Sequence, residues 1–267
     1  MIVAPKGYYL LSCDLAQAET YVVAWRSGNQ KIKDALLYGD KKLGTDFHSI
    51  TARDFYSLGD KLPNETQRFI GKKGNHQCSY QGGWFKLMES INAESDEPPY
   101  VTVSASEAKG FHKKWTDLYS LWQWWQEIEI SIRETRTIRT IYGRKRTFYG
   151  AITKDGKIFK EATAYEPQST IADHMLGAIQ PELGIEGGLR SVYEKIILPS
   201  KNEIRITNTA HDSAILEVPK GSINDIAERL IKLIKRPMII NGEEVTVPVD
   251  MEYGERWSEG MDKLKVT

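Results

Sequence analysis

The sequence predicts an α+β fold whose sheet is assembled from segments far apart in the chain. Three observations predict it. A short apolar run lies near the N-terminus, long stretches of helical periodicity fill the middle, and a hairpin pattern occupies the C-terminal third.

Tyr8 to Cys13 is apolar almost throughout and stops at Asp14, as a buried strand does. Ala16 to Trp25 then has helical periodicity. A loop rich in Gly and Lys spans Tyr38 to Thr45, and a second helical stretch runs from about Phe47 to Tyr56. Pro63-Asn64-Glu65-Thr66-Gln67 starts another helix, because Asn64 can cap the first turn while Gln67 reaches back to it. That helix runs to about Tyr80, where Gln81-Gly82-Gly83 ends it. Asn92 to Tyr100, acidic and proline-bearing, is the best linker candidate.

Ser104 and Glu107 form a second capping box, opening one long helix through Trp115, Trp122, Trp124 and Trp125. At helical spacing these rings belong in a core; stacking on nucleic-acid bases is the alternative. Ile141 to Arg146 is a turn, and Glu161 to Ile179 a helix with Gln168 facing outward. Ile204 to Thr209 alternates apolar and polar residues, Ala214 to Val218 is apolar again, and Ala210-His211-Asp212-Ser213 joins them. Ser222 to Lys235 is an amphipathic helix and Val245 to Met251 a final strand.

A chain of 267 residues can form one large domain or two interleaved subdomains. Its 40% hydrophobic and 27% charged residues argue against wholesale disorder. No apolar run approaches the roughly 18–20 residues that span a bilayer, and the N-terminus lacks the regions of a signal peptide. Cys13 and Cys78 offer neither a disulfide framework nor metal-site spacing, so a soluble cytoplasmic protein is expected, with no membrane partner. The 36 basic residues balance 36 acidic ones, which argues mildly against a nucleic-acid partner. The distribution is less even. Arg133, Arg136, Arg139, Arg144, Lys145 and Arg146 face a single nearby acid, Glu134, although such a run is by itself an ordinary solvated face.

Asp14 and Asp212 are the candidates for chemistry. Phosphoryl transfer needs metal ions, in-line positioning and cations around the phosphates more than it needs covalent help. Hard divalent ions want carboxylate oxygens on rigid elements. Asp14 ends one predicted strand and Asp212 lies at a predicted hairpin tip. Alone, each is an ordinary turn or cap residue. Their company is more specific. Asp14-Leu15-Ala16-Gln17-Ala18-Glu19 has D-x-x-Q-x-E spacing, and Asp46 to Ala52 reads D-x-H-x-x-T-A. Arg68, Lys72, His76 and Tyr80 step by four along one slowly drifting helix face. Arg68 and Lys72 sit toward its N-terminal half, where the helix dipole favours anions.

Taken in order with His211-Asp212-Ser213, Tyr142-Gly143-Arg144-Lys145-Arg146 and Gln168, these segments resemble motifs A, B and C of the family A DNA polymerases, of phage-like type. The resemblance covers essentially the whole chain. It implies a palm, an antiparallel sheet with helices, over 1–30 and 161–267, with motif A in the first part and the motif C hairpin at about 204–218. A mainly helical fingers subdomain is inserted over 31–160, with the motif B helix at about 65–80. It further implies a DNA-directed DNA polymerase adding dNTPs to a primer on template DNA with two Mg²⁺ ions, for which Mn²⁺ can substitute.

Carried over residue by residue, the resemblance implies that Asp14 and Asp212 bind the metals, with the Leu15 carbonyl as a further ligand. Arg68, Lys72 and His48 contact the triphosphate, and Lys72 protonates the departing pyrophosphate. Gln17, Glu19, His76 and Tyr80 contact the nucleotide, Glu19 by crowding a ribose 2′-hydroxyl and Tyr80 by stacking near the templating base. Arg144 holds a DNA phosphate, Gln168 reads the minor groove and His211 lies near the primer end.

Several positions depart from the family. His76 stands where many members have Phe or Tyr, Gln81 where glycine often follows the tyrosine, and Ser213 where a glutamate is common, so a third carboxylate is missing there. Motif A begins at residue 14, so the resemblance implies that the thumb and 3′–5′ exonuclease are absent from this chain. An N-terminal partner chain bearing the thumb, and with it an exonuclease, is then expected, unless the chain is a truncated piece. Two other readings stand beside the polymerase. One is a non-catalytic remnant that binds DNA or a replication partner; the other is a single-subunit RNA polymerase, which Glu19 opposes.

Overall fold

A computed structural model of the chain describes residues 2–94, 98, 100–153, 156–257 and 261–264. Ser95, Asp96, Glu97 and Pro99 of the expected linker lie outside the described residues. In chain order the first elements are β1 (Tyr8–Leu15), α1 (Ala18–Ser27), α2 (Gln30–Tyr38), α3 (Phe47–Phe55), α4 (Glu65–Ser79) and α5 (Trp84–Asn92). Then come α6 (Ala105–Tyr119), α7 (Trp122–Thr135), β2 (Thr137–Arg139), β3 (Lys145–Thr147), α8 (Lys157–Leu176) and α9 (Gly188–Val192). The chain finishes with β4 (Arg205–Thr209), β5 (Ser213–Pro219), α10 (Ile223–Ile234), β6 (Pro237–Ile240), β7 (Glu243–Thr246), β8 (Val249–Gly254) and β9 (Asp262–Lys263). It is a mixed helix and sheet fold, as the sequence predicts. Two compact units form, one from residues 1–22, 139–145 and 166–267, the other from 23–138 and 146–165.

The first unit holds an antiparallel five-stranded sheet in the order β4-β5-β1-β8-β9. From Leu11 to Leu15 the strand alternates: Leu11, Cys13 and Leu15 are buried on one face, while Ser12 and Asp14 on the other are half-buried. Helix α10 packs against β1, β5 and β8 and buries Ile226, Ala227, Leu230 and Ile234. Each of the buried Ile and Leu side chains contributes about 1.5–3 kcal/mol. Burial also pushes the Cys13 thiol up to about 12, so this cysteine packs as an apolar group.

The second unit is helical. Helices α3 and α4 approach closely because α4 presents Gly71 and Gly74 at their contact. A Cβ on Gly71 would fall 2.4 Å from the His48 carbonyl oxygen, and one on Gly74 would fall 2.6 Å from the Phe55 ring. That ring is itself stacked on Phe111 of α6, with centroids 4.8 Å apart. The capping boxes at Asn64/Gln67 and Ser104/Glu107 both form.

Some expected elements differ. The single long helix through the tryptophans is two, α6 and α7. Ser120 takes a left-handed φ of 45°, and the break lets Tyr119, Leu121, Trp115 and Trp124 all be buried. Trp122, by contrast, is exposed and is no core residue. β1 continues past Cys13 through Asp14 and Leu15, because neighbouring strands pair with it on both sides. Helix α1 starts at Ala18, since Gln17 has a left-handed φ of 55°. α8 begins before Glu161 and stops before Ile179, where Gly177 takes a φ of 107°. Val245 to Met251 is not one strand. Val245 pairs within the small β6–β7 hairpin, and Pro248, which has no N–H to donate, separates it from β8. Helices α2 and α5 and the β2–β3 pair have no counterpart in the sequence reading.

The Gly71 contact gives a test. In a helix interior Gly→Ala alone gains about 1 kcal/mol. At Gly71 the added methyl meets backbone, and overpacking costs about 1–3 kcal/mol or more. Gly71→Ala is therefore expected to lower the urea midpoint at unchanged m-value; a raised midpoint would refute the close approach.

Candidate active site

Asp14 sits on the middle strand of the sheet, in register with Ser213 of β5 on one side and Asp250 of β8 on the other. Two residues back, Ser12 faces Glu252. Directly opposed residues share a face, so Asp14, Asp250 and Glu252 present carboxylates from the same side of the sheet. Asp212 immediately precedes Ser213, and its carbonyl accepts the Leu15 N–H at 2.9 Å, which ties the hairpin tip to β1. Burial, then the carboxylates of Asp212 and Asp250, push the Asp14 carboxyl up to about 6. A cleft of about 150 Å³ opens beside it, lined by Ser12, Asp14, Asn208, Thr209, Ser213 and Trp257 among others. Sequence reasoning missed Asp250 and Glu252 as neighbours of Asp14. The acid missing from position 213 on one flank of Asp14 has a counterpart on the other flank, and only strand register discloses it.

The remaining candidates in this unit divide into those near Asp212 and those away from it. His211 Nε2 lies 3.1 Å from Glu19 Oε1 and 3.6 Å from Asp212 Oδ2, so these three form one cluster. Gln17 is exposed, and the Leu15 side chain is buried on the opposite face from Asp14. Arg144 donates from Nε to Asp173 Oδ1 at 2.6 Å and from Nη2 to the Ser169 carbonyl at 3.1 Å. Two sides of this guanidinium are thus bound to α8, and half of the side chain is exposed. Gln168, on the same helix, is exposed.

The second unit carries a cationic cluster. Asp46 caps α3 by accepting the His48 N–H at 3.2 Å, and it accepts Arg68 Nη2 at 2.8 Å. Burial alone would raise Asp46, but the hydrogen bonds from Arg68 and Ser49 outweigh it and hold its carboxyl below the ordinary range. Arg68 is therefore pinned from one side. Its Nε is buried and has no hydrogen-bond partner among the described residues. A donor left so costs about 1–3 kcal/mol, while 23% of the side chain remains exposed. Burial, and then Arg68, push His48 down to about 4, so its ring is neutral at pH 7. Lys72 is exposed, whereas the adjacent Lys73 pairs with Glu94. Further along α4, His76 is exposed and meets the Tyr80 ring edge-on, with centroids 5.6 Å apart.

Among the described residues, no group of three or more His, Cys, Asp or Glu side chains could by itself hold a metal ion. A closed cage of the zinc kind is thus not what the residues fit. The donor set around Asp14 fits a hard cation that takes its remaining ligands from water and substrate, since closely placed carboxylates gain when a divalent ion neutralises them.

The profile of DNA polymerase family A matches residues 1–259, and the chain belongs to that family. It is 24% identical to the DNA polymerase of Escherichia phage T5 over 99% of this chain and 32% of that protein. It is likewise 24% identical to the thermostable DNA polymerase I of Thermus filiformis over 94% of this chain and 27% of that one. The chain therefore spans about a third or less of these relatives. In fold it is similar to the POL domain of Pol1 from M. smegmatis, solved in complex with DNA primer-template and dNTP. The TM-score there is 0.71 at 18% identity, covering 96% of this chain and 41% of that one. Family A DNA polymerases generally use divalent metal ions. Among the described residues no helix is long and apolar enough to cross a membrane.

The cationic cluster can be tested without DNA. A hydrogen bond to a charged group contributes about 1.5–3 kcal/mol, so Arg68→Ala is expected to weaken binding of inorganic triphosphate about tenfold or more by calorimetry. Lys73→Ala, whose charge Glu94 already engages, is expected to leave that affinity nearly unchanged.

Proposed function

We propose that this chain is the palm-and-fingers portion of a template-directed DNA polymerase, working in the cytoplasm and adding dNTPs to a primer 3′-hydroxyl. The observation that carries the reading is the placement of Asp14. It lies mid-sheet, its carboxyl raised by burial and then by the Asp212 and Asp250 carboxylates, in a chain of family A. The sheet-bearing unit is the palm and the helical unit the fingers.

In this reading Asp14 and Asp212 hold two Mg²⁺ ions, for which Mn²⁺ can substitute, and the Leu15 carbonyl adds a ligand. When bound, the ions supply activation of the attacking hydroxyl and neutralisation of the leaving group. Arg68, held by Asp46 through Nη2, offers its partly exposed cationic side chain to the triphosphate, and Lys72 and His48 take further oxygens. Lys72 delivers a proton to the pyrophosphate oxygen as the bond to the α-phosphorus breaks. Glu19, held by His211, blocks a 2′-hydroxyl. Gln17, His76 and Tyr80 contact the sugar and base, while Arg144, Gln168 and His211 contact DNA. An N-terminal thumb-bearing chain supplies further grip on the duplex.

Primer extension tests the proposal. Full chain, alone and with a thumb-bearing polymerase fragment, is given primer–template, dNTPs and Mg²⁺. Extension is expected at least in the paired arm, ceasing with EDTA and returning with Mn²⁺. Asp14→Ala and Asp212→Ala are expected to abolish it with folding intact. No extension in either arm would leave only a DNA-binding remnant. Glu19→Ala is expected to raise ribonucleotide use about tenfold or more, equivalent to about 1.4 kcal/mol of discrimination; an unchanged ratio would remove Glu19 from that role.

A further inference from the structure

Behind His48 lies a buried polar network that the phosphate contacts do not explain. Asn75 of α4 is 3% exposed, and all its amide valences are taken. Its Oδ1 accepts Trp115 Nε1–H at 2.9 Å and Thr51 Oγ1–H at 2.8 Å, while Tyr119 Oη lies 2.7 Å from Thr51 Oγ1. Its Nδ2 donates to the Phe47 carbonyl at 3.2 Å and lies 3.1 Å from His48 Nδ1.

The orientation of this amide is not free. Indole Nε1–H is only a donor, so the atom facing Trp115 must be the oxygen. The NH₂ group therefore faces His48, and His48 Nδ1 must accept. A proton on Nδ1 would set two donors face to face at 3.1 Å. The ring proton of neutral His48 is left to Nε2.

We propose that Asn75, held by Trp115, is a positioning residue that locks His48 in the tautomer with its proton on Nε2, making the opposite ring edge a fixed donor for a nucleotide phosphate. The inference rests on the triphosphate role given to His48 above. It explains why a buried amide and an indole stand behind the cationic cluster. Arg68 and Lys72 attract the phosphates by charge, whereas His48 beside them contributes a directed hydrogen bond that carries no charge.

The chain has five histidines, so ¹⁵N-histidine labelling and long-range ¹H–¹⁵N NMR can resolve each ring, with His48→Gln identifying the signal. The full chain is expected to show His48 as the Nε2–H tautomer, and inorganic triphosphate is expected to shift that nitrogen. An Nδ1–H ring, an averaged pair of tautomers, or no response to triphosphate would overturn the proposal, with no variant needed. Asn75→Asp, checked for folding by circular dichroism, replaces the donor with an acceptor. It is expected to move the proton to Nδ1 or to give imidazolium, and to raise KM for dNTP severalfold more than it lowers kcat. An unchanged tautomer in the folded variant would equally overturn it. The NMR signature does not depend on turnover: absent primer extension would strike the polymerase reading alone, while a wrong tautomer would strike this inference alone.

Discussion

The antiparallel register of β1 between β5 and β8 is the constraint on which the site depends. Because side chains alternate along a strand, a slip of one residue would turn Asp14 into the core and bring Cys13 or Leu15 to the open face. What prevents the slip is burial of Leu11, Cys13 and Leu15 on the face opposite Asp14. The same register sets Ser213 and Asp250 on either flank of Asp14. The apolar core thus determines where the carboxylates stand, and their mutual repulsion is a cost that the core offsets and a divalent cation would relieve.

In the helical unit a different constraint performs the same task. Gly71 and Gly74 remove side-chain volume where α4 crosses α3, so the two backbones approach closely. His48 and Asp46 on α3 then reach Arg68 and Asn75 on α4 directly. Neither helix could order this cluster alone. Asp46 is both the cap of its own helix and the anchor of an arginine on the next, which couples local helix formation to tertiary packing.

Much of this was legible before folding. Capping boxes, the β4–β5 hairpin and the four-residue steps along α4 are local signals, and local signals survive because they involve residues within a turn of one another. The tryptophan stretch was misread because its apolar period continues across Ser120, and only the left-handed φ there reveals two helices. Val245 to Met251 was misread because two short strands of different sheets abut at Val247-Pro248. The carboxylates beside Asp14 were read only in part. Asp212 was recognisable from its motif, whereas Asp250 sits in an ordinary alternating strand.

By itself the sequence determined the class of fold and the family, because these follow from residue type and spacing along the chain, and the resemblance nominated the side chains proposed to bind cations and phosphates. Only the tertiary structure decided which of them meet. The pairing of Asp14 with Asp250, the pinning of Arg68 by Asp46, and the orientation of the Asn75 amide between Trp115 and His48 all join residues distant in sequence. Contacts of this kind are set by strand register and helix packing, and no local pattern encodes either.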